Sequence, residues 1–594
     1  MKKYSKITEK IIGLTSAITR YPITTAFLLL AATINSYGYT TDKTYDKAFM
    51  ACIVGAVLST VFQALYERFF ERQIARLSLG ALSVALAGAY FLLIRSAPEY
   101  STQNSVRTAV VVFALIFAFI LIPAIKSRIS FNESFMAAFK ALFQSILYAA
   151  VFFIGCRLII ATIDTLIIRV DTDIYFHTMN LVFVLLAPIL FLSLIPVYPG
   201  RFSLSNSATP AAFAREETIA RAAFCPKFLE ILISYIIIPL AEVFTVILIL
   251  YIFLNIGGDF WRNNLLEPLL ISYAIVIMLI LFLSARLDNR MATLFRQIFP
   301  KVLIPIVVFQ LLASTFIMRD TGVTHPRYFV ILFGIFAACA GVLLSFSPVQ
   351  KTGVVAALLI AFSFVSITPP VDAFTISQFS QRQRLETVLT QNGMLQNNTL
   401  IPNADISKED KEKIASSLEY LYHTNAVGKL NWLPKSFDYY TDFESTFGFS
   451  RYGTPDESGR YVSVYLSPNL PIEISGYDIF MRTSVDSNIA AKEAICEFER
   501  DNISYTLTKI TRDNHPHFIL SQTGGEEIIA FNTAELFSRY NGFAENKSML
   551  TTDSATFTVE NDRAKLTFVV QNANINTEPS YYNADFYVLA ALKK

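Results

Sequence analysis

Residues 239–256 read PLAEVFTVILILYIFLNI, and Glu242 is the one charged residue among them. A stretch of this length and apolarity is typical of a helix that crosses a lipid bilayer, because about 20 helical residues span the hydrocarbon core. A helix also satisfies its own backbone hydrogen bonds, which a medium without water requires. The stretch therefore predicts a protein embedded in a membrane.

The composition of the whole chain agrees with this interpretation and divides the chain in two. Of its 594 residues, 53% are hydrophobic and 16% are charged, whereas roughly 25% of the residues in soluble proteins are charged. Residues 1–372 contain 29 Lys and Arg against 19 Asp and Glu, and residues 373–594 contain 20 against 28. We therefore expect an α-helical membrane domain at 1–372 and a water-soluble domain at 373–594. The net charge of +2 averages the two parts and gives no reason to expect a nucleic-acid partner.

Eleven apolar segments in the first part are candidate transmembrane helices. They are 22–38, 47–66, 77–94, 108–125, 141–163, 176–196, 229–255, 266–285, 302–318, 328–347 and 353–369. With eleven spans, six stretches on one side of the membrane hold 20 Lys and Arg, and the five on the other side, Lys47 included, hold 8. Basic residues in short connections are retained in the cytoplasm. We therefore expect a cytoplasmic N-terminus and an extracytoplasmic C-terminal domain.

The C-terminal part is expected to be mainly β, with helices at its start. The sequence SQFSQRQRLETVLTQNG at 377–393 predicts a helix that ends near Gly393. Ser407 and Asp410 have the spacing of a capping box and predict a second helix. Alternating apolar segments separated by Gly, Asn, Asp and Pro follow, which is the pattern of short β-strands. One hairpin turn is predicted at 560–563.

Three stretches together resemble the DUF4153 family, which consists of bacterial multi-pass membrane proteins with a domain of unknown function. They are PLAEVFTVILILYIFLNI at 239–256, RDTGVTHPRYFV at 319–330 and SQRQRLETVLTQNGML at 380–395. The family's Pro-Leu, Gly-x-Thr-x-x-Arg-Tyr and Gln-x-x-Arg-Leu patterns fall at Pro239 and Leu240, at Gly322, Thr324, Arg327 and Tyr328, and at Gln381, Arg384 and Leu385. The resemblance implies a location in a bacterial cytoplasmic (inner) membrane and this architecture, and it lends no catalytic activity.

The Gly322 hairpin has two interpretations. In the structural one, the glycine permits a tight turn, and amphipathic side chains at the start of the next helix anchor it at the membrane interface. In the functional one, cationic side chains bind an anionic lipid or a glycan phosphate outside the membrane. The residues of this candidate site are Arg319, His325, Arg327 and Tyr328.

Ionisable residues inside the membrane form a second candidate site, because they are costly there and usually functional. Arg157 and Asp164 are seven residues apart and share a helix face, and Glu242 follows Pro239 in another segment. Two interpretations stay open. Arg157 and Glu242 form a structural ion pair, or the acids take part in a proton or ion relay.

Acidic residues in two outer loops provide the basis for an enzyme alternative. Asp171 and Asp173 have the Asp-x-Asp spacing of a weak metal site, and the first outer loop offers Asp42 and Asp46. Multi-span transferases that act on lipid-linked sugars combine outer-loop acids with an outer domain. Such a transferase here would use Asp171, Asp173, Glu242 and Arg327, whereas the alternative for the loop acids is a solvated surface.

No pattern in the chain has useful specificity for catalysis, a metal or a cofactor. His515 and His517 share a strand face as half of a metal site, but no third ligand is indicated. We therefore expect no cofactor and leave enzymatic activity open. The preferred hypothesis is a membrane protein that binds or senses an envelope component through its outer domain, and its candidate partners are the bilayer, an envelope lipid or glycan, or another membrane protein. A transferase and a transporter are the alternatives.

Overall fold

The computed structural model describes residues 13–41, 43–95, 97, 101–201, 210–255, 266–346, 352–449, 451, 461–467, 470–487, 492–513, 515–540, 549–577 and 580–593. The chain divides into two compact units, Met1–Gly448 and Phe449–Lys594. Residues 373–448 of the predicted soluble part therefore fold together with the helices that precede them.

Long helices make up most of the first unit. In chain order they are α1 Gly13–Arg20, α2 Pro22–Thr41, α3 Asp46–Phe69, α4 Gln73–Ile94, α5 Thr102–Leu121, α6 Phe131–Leu166, α7 Asp173–Asn180, α8 Ala187–Leu194, α9 Pro210–Ala223, α10 Lys227–Ile231, α11 Ile238–Asn255, α12 Leu266–Ser284, α13 Arg290–Thr321, α14 His325–Phe346, α15 Thr352–Ile367, α16 Ala373–Gln391, α17 Lys408–His423 and α18 Phe443–Phe447. Short π-helical segments, Leu181–Leu186 and Leu232–Ile237, join α7 to α8 and α10 to α11.

The apolar helices support the predicted membrane domain. Among the described residues, eight helices are long and apolar enough to cross a membrane, and the pair α1 and α2, bent by 97°, makes a ninth if it is one span. Two of the predicted segments coincide with shorter apolar helices, Pro268–Ser284 and Thr352–Ile367, which fall below membrane length. The described residues therefore support eight or nine spans, and the number eleven stays a prediction. Large apolar side chains on α6 are exposed, such as Val151 at 62% and Leu158 at 65%. In water this surface would be unfavourable, so the helices belong in a lipid bilayer.

The segment after α15 continues the helical unit. Asp372 caps α16 by accepting hydrogen bonds from the amides of Phe374 and Thr375 at 3.1 and 3.3 Å. Ser407 caps α17 by accepting from the amide of Asp410 at 3.1 Å, as its spacing predicted. Both predicted helices are confirmed, and they pack against each other and near the start of α14. A short hairpin, β1 Leu395–Gln396 and β2 Thr399–Leu400, lies between them.

The second unit is rich in β-sheet, as predicted. Its strands are β3 Tyr461–Leu466, β4 Ile479–Asp486, β5 Lys492–Arg500, β6 Ile503–Arg512, β7 His515–Gln522, β8 Glu527–Asn532, β9 Met549–Leu550, β10 Thr556–Glu560, β11 Ala564–Thr577 and β12 Ser580–Leu592, with short helices α19 Ala534–Tyr540 and α20 Thr552–Ala555. One sheet has the order β4-β12-β11-β3-β9, with β10 on β11, and the other has β5-β6-β7-β8. The predicted turn at 560–563 joins β10 to β11. The rings of Phe518 and Phe531, from one sheet, pack on Phe568 of the other and form a buried core.

Candidate functional site

A tight hairpin joins α13 to α14, and a buried glutamine fixes its shape. Gly322 has a φ of +72°, a conformation that side-chain-bearing residues rarely adopt. The side-chain amide of Gln381, from α16, donates to the carbonyls of Thr321 and Val323 at 2.9 and 3.1 Å. A Cβ atom on Gly322 would lie 2.7 Å from that amide nitrogen. The glycine is therefore required both by the backbone conformation and by the close approach of Gln381.

Side chains of α16 and α17 hold the other side of the hairpin. The amide of Val323 donates to the hydroxyl of Ser380 at 3.0 Å, and the amide of His325 donates to the hydroxyl of Tyr420 at 2.9 Å. The His325 ring also stacks on Phe374 with 4.8 Å between the ring centroids. Burial raises the pKa of Tyr420, so its hydroxyl keeps its proton. The amides at the start of α14 thus bind groups of the chain itself.

Two arginines meet in an open cavity beside this hairpin. The cavity has a volume of about 370 Å³. Its lining residues are Thr321, Thr324, Pro326, Arg327, Gln381, Arg384, Ser416 and Tyr420. Arg384 donates to the hydroxyls of Ser417 and Ser416 at 2.9 and 3.2 Å, and Arg327 contacts the hydroxyl of Thr321.

The charges around the cavity are mainly positive. Burial lowers the pKa of Arg384, and the positive charge of Arg327 lowers it further, while the carboxylate of Asp320 acts in the opposite direction. Guanidinium groups stay protonated in proteins, so Arg327 and Arg384 both bring positive charge to the wall of the cavity, and Asp320 is an acid nearby. Planar guanidinium groups bind phosphate and carboxylate oxygens in two-point contacts. The side chains that line the cavity therefore have the chemistry to bind a phosphate or a carboxylate.

A buried ion pair between Asp372 and Arg107 has a structural role, and Asp372 is close in sequence to the cavity residues of α16. Asp372 is fully buried and lies 2.8 Å from the guanidinium of Arg107. Burial acts to raise the pKa of Asp372, but hydrogen bonds from Thr375 and Arg107 outweigh it and hold the pKa below its usual value. Tyr328 donates from its hydroxyl to the carbonyl of Val371 at 2.5 Å. These contacts attach α5 and α14 to the start of α16.

Of the four predicted residues of the cationic site, Arg327 lines the cavity. His325 and Tyr328 lie nearby but bind Tyr420 and the carbonyl of Val371. The guanidinium of Arg319 lies 5.4 Å from the ring centroid of Phe316, outside the lining of the cavity. The sequence prediction missed Arg384 as a binding residue, although the Gln-x-x-Arg-Leu pattern singled it out.

The structure does not bring the predicted intramembrane residues together. Arg157 is exposed and lies 5.1 Å from the ring centroid of Tyr175, and Asp164 accepts a hydrogen bond from the amide of Val170 at 2.8 Å. Glu242 is half-buried, and it has no hydrogen-bond or ion-pair partner among the described residues. Among the residues that the structure describes, Arg157 and Glu242 form no ion pair with each other.

The predicted metal-binding residues form no complete site in the described residues. Asp173 donates from its amide to the carboxylate of Asp171 at 3.2 Å, at the start of α7. His515 stacks on Tyr582, and His517 binds the carbonyl of His515 at 2.9 Å. No group of three or more His, Cys, Asp or Glu that could hold a metal occurs in the ranges given above. Of the first-loop acids, Asp46 begins α3 and Asp42 lies outside the described residues.

Comparison with known proteins identifies the family. The model of a domain of unknown function, DUF4153, matches residues 47–402, which include the Gly322 hairpin and the Gln381 and Arg384 pair. No curated protein and no solved structure matches the chain. The matched region covers more than half of the chain and contains about eight membrane-length helices. The chain belongs to the DUF4153 family.

Proposed function

We propose that this protein crosses a bacterial inner membrane eleven times and binds an anionic component of the cell envelope on the outer side. The observation that carries the proposal is the cavity that Arg327 and Arg384 both line beside the Gly322 hairpin, close enough for the charge of Arg327 to lower the pKa of Arg384. Two like charges destabilise each other, so their juxtaposition is best explained by a ligand of opposite charge. The ligand group is a phosphate or a carboxylate.

The eleven crossings require the two short helices to span the bilayer. Pro268–Ser284 has 17 residues and would be about 25 Å long at 1.5 Å per residue. This is somewhat less than the hydrocarbon thickness of about 30 Å, a mismatch that local thinning accommodates at modest cost. The excess of Lys and Arg on one set of connections supports a cytoplasmic N-terminus. The Gly322 hairpin and residues 373–594 then lie outside.

The uncharged groups around the arginines suit an oxyanion. Thr324 provides a hydroxyl group in the cavity wall, whereas Ser416 donates its hydroxyl to the carbonyl of Lys413 at 3.3 Å. Gln381 and Tyr420 hold the backbone that shapes the cavity. A charge-assisted hydrogen bond contributes about 1.5–3 kcal/mol. Two guanidinium groups are therefore sufficient for a specific, reversible interaction with one phosphate group. Such a protein would bind or sense an envelope component through the surface that it presents outside.

A binding assay tests the proposal. The full chain in neutral detergent is titrated with glycerol 3-phosphate, alongside Arg327→Gln and Arg384→Gln. Each variant should weaken binding at least about tenfold, which corresponds to about 1.4 kcal/mol. Arg319→Gln is the matched control, because Arg319 contacts Phe316 and does not line the cavity. Equal affinities for all four proteins, or no binding by the unaltered chain, would overturn the proposed anion site.

The orientation is tested by labelling single cysteines with an impermeant thiol reagent in whole cells, after the five native cysteines are replaced. Ser5→Cys and Asp288→Cys should react only after the membrane is opened, and Asp405→Cys should react from outside. If Asp405→Cys is protected in intact cells, the number of spans differs from eleven by an odd number.

A further inference from the structure

A cavity of mixed polarity lies where α4 ends and where α3 and α5 begin. It has a volume of about 510 Å³, within the range of roughly 300–1,000 Å³ that is usual for small-molecule sites. It shares no lining residue with the cavity of Arg327 and Arg384. In the proposed topology, Asp46 and Lys47 at the start of α3 lie on the same outer side as the Gly322 hairpin. The cavity is therefore a second candidate site.

Charged side chains of both signs line this cavity. Lys47 donates from its ammonium group to the carbonyl oxygens of Arg95, at 3.2 Å, and of Ala97. These oxygens belong to neutral peptide groups, so the positive charge of Lys47 remains. Arg95 and Asp46 are exposed, and among the residues that the structure describes they form no ion pair with each other or with Lys47. The wall therefore presents two cations and one anion that do not pair with each other.

A buried side-chain amide lies in the same wall. Asn104 belongs to the first turn of α5, and its backbone amide donates to the hydroxyl of Ser101 at 3.4 Å, which caps that helix. The side-chain nitrogen of Asn104 is buried and has no hydrogen-bond partner in the part of the chain that the structure describes. A buried donor without a partner costs free energy. An acceptor atom of a ligand in the cavity would remove this cost.

We propose that this cavity binds a zwitterion that carries a phosphate group and an ammonium group. Lys47, Arg95 and Asn104 donate hydrogen bonds to the phosphate, and those from charged donors are the strong ones. Because the three donors come from α3, from the residue after α4 and from α5, they suit a tetrahedral phosphate better than a planar carboxylate. Asp46 accepts from the ammonium group. A plain anion would be repelled by Asp46 and a plain cation by the two basic residues, whereas a zwitterion has a partner for each charge.

The test uses the delipidated full chain with Arg384→Gln in neutral detergent, so that the anion site beside Gly322 does not contribute. Phosphoethanolamine, glycerol 3-phosphate and ethanolamine are titrated by isothermal calorimetry. We expect phosphoethanolamine to bind at least about tenfold more tightly than either of the others, a difference of about 1.4 kcal/mol. Arg95→Gln should weaken phosphoethanolamine and glycerol 3-phosphate alike. Asp46→Asn should remove the preference for phosphoethanolamine over glycerol 3-phosphate.

Arg169→Gln and Asp405→Asn are the matched controls, because both residues are exposed and lie outside the lining of the cavity. Asn104→Leu separates binding from stability. It should raise the unfolding midpoint, because it removes a buried donor without a partner, and it should weaken the binding of phosphoethanolamine. A purely structural asparagine would change the midpoint alone.

The phosphate and the ammonium group occur together both in soluble phosphoethanolamine and in the headgroup of phosphatidylethanolamine, and competition distinguishes the two sources. Phosphoethanolamine is titrated again in micelles that contain dioleoyl phosphatidylethanolamine. If the lipid displaces it, the ligand is a lipid headgroup, and if its affinity is unchanged, the ligand is a soluble zwitterion. The proposal is overturned if neither compound binds, if Arg95→Gln binds phosphoethanolamine as tightly as Arg169→Gln does, or if Asp46→Asn keeps the preference for the zwitterion.

Discussion

The loss of stability when Gly322 is replaced with alanine should depend on the side chain of Gln381. At φ +72° and ψ 172°, the backbone of Gly322 is in a region that is essentially restricted to glycine, and a residue with a side chain there costs about 1–3 kcal/mol. The new Cβ would also lie 2.7 Å from the side-chain nitrogen of Gln381 and 3.3 Å from Cδ of Arg384. The amide must move, and it then loses its hydrogen bonds to Thr321 and Val323.

Those two hydrogen bonds contribute about 0.5–1.5 kcal/mol each. Gly322→Ala should therefore lower the free energy of unfolding by about 2–6 kcal/mol, from strain and lost hydrogen bonds together. In a Gln381→Ala background the hydrogen bonds are already absent, so the same substitution should cost only the strain, about 1–3 kcal/mol. The double-mutant cycle should show a coupling of about 1–3 kcal/mol.

The free energy of unfolding is measured in mixed micelles of increasing dodecyl sulfate content, followed by far-ultraviolet circular dichroism. Gly88→Ala is the matched control, because Gly88 is exposed within α4 and a Cβ there meets no atom within 4 Å. It should be neutral or slightly stabilising, since alanine is the better helix former. If the two substitutions at the hairpin are additive within about 0.5 kcal/mol, the proposed contact does not exist in the folded protein.

The remaining predictions concern the elements around the site and the second unit. Asp372→Asn should destabilise the first unit by about 3 kcal/mol. This is the lower end of the range for breaking a buried ion pair, because the side chain of Arg107 is 27% exposed. If the variant is not destabilised in the same micelle assay, the ion pair is contradicted. Because the folded pKa of Asp372 is lowered, its stabilising contribution is fully present above about pH 5 and is lost as the pH falls through the folded value, so Asp372→Asn should abolish that part of the acid sensitivity. Ser407→Ala should cost about 1 kcal/mol by removing the cap of α17, and an unchanged unfolding midpoint would argue against that cap. Phe531→Ala should cost about 3–5 kcal/mol, whereas Phe480→Ala, at a 52% exposed position, should cost less than about 1 kcal/mol; similar losses would contradict the assigned core.

The sequence was sufficient to predict the helices and the β-rich character of the second unit, because both follow from local patterns. Apolar segments of membrane length coincide with the helices, and the Ser407 cap and the turn at 560–563 formed as their spacing indicated. Each of these signals lies within one continuous segment of the chain, where spacing determines geometry. The location of Arg327 at the start of α14 followed from the same reasoning.

The candidate site could be predicted only in part, because its two cations come from distant segments. Arg384 lies 57 positions after Arg327, and their approach depends on how α16 packs on the hairpin. No periodic pattern in the sequence indicates a contact between two segments so far apart in the chain. The suggested pairing of Arg157 with Glu242 failed to appear in the described residues for the same reason: charge complementarity shows which residues can pair, but helix packing decides which ones meet.

The contacts around Gly322 bear on the two interpretations of the hairpin, an anion-binding site and a membrane anchor. An anchoring arginine needs only a nearby interface or an aromatic ring, and Arg319 beside Phe316 meets that requirement. Arg384, in contrast, is partly buried, its pKa is lowered by Arg327, and its stem approaches the position where a Cβ of Gly322 would stand. Burial and the charge of Arg327 both disfavour the protonated form of Arg384, and anchoring requires neither of them. Conflicts of this kind with local rules are expected where function constrains the chain, and this supports the proposed anion site.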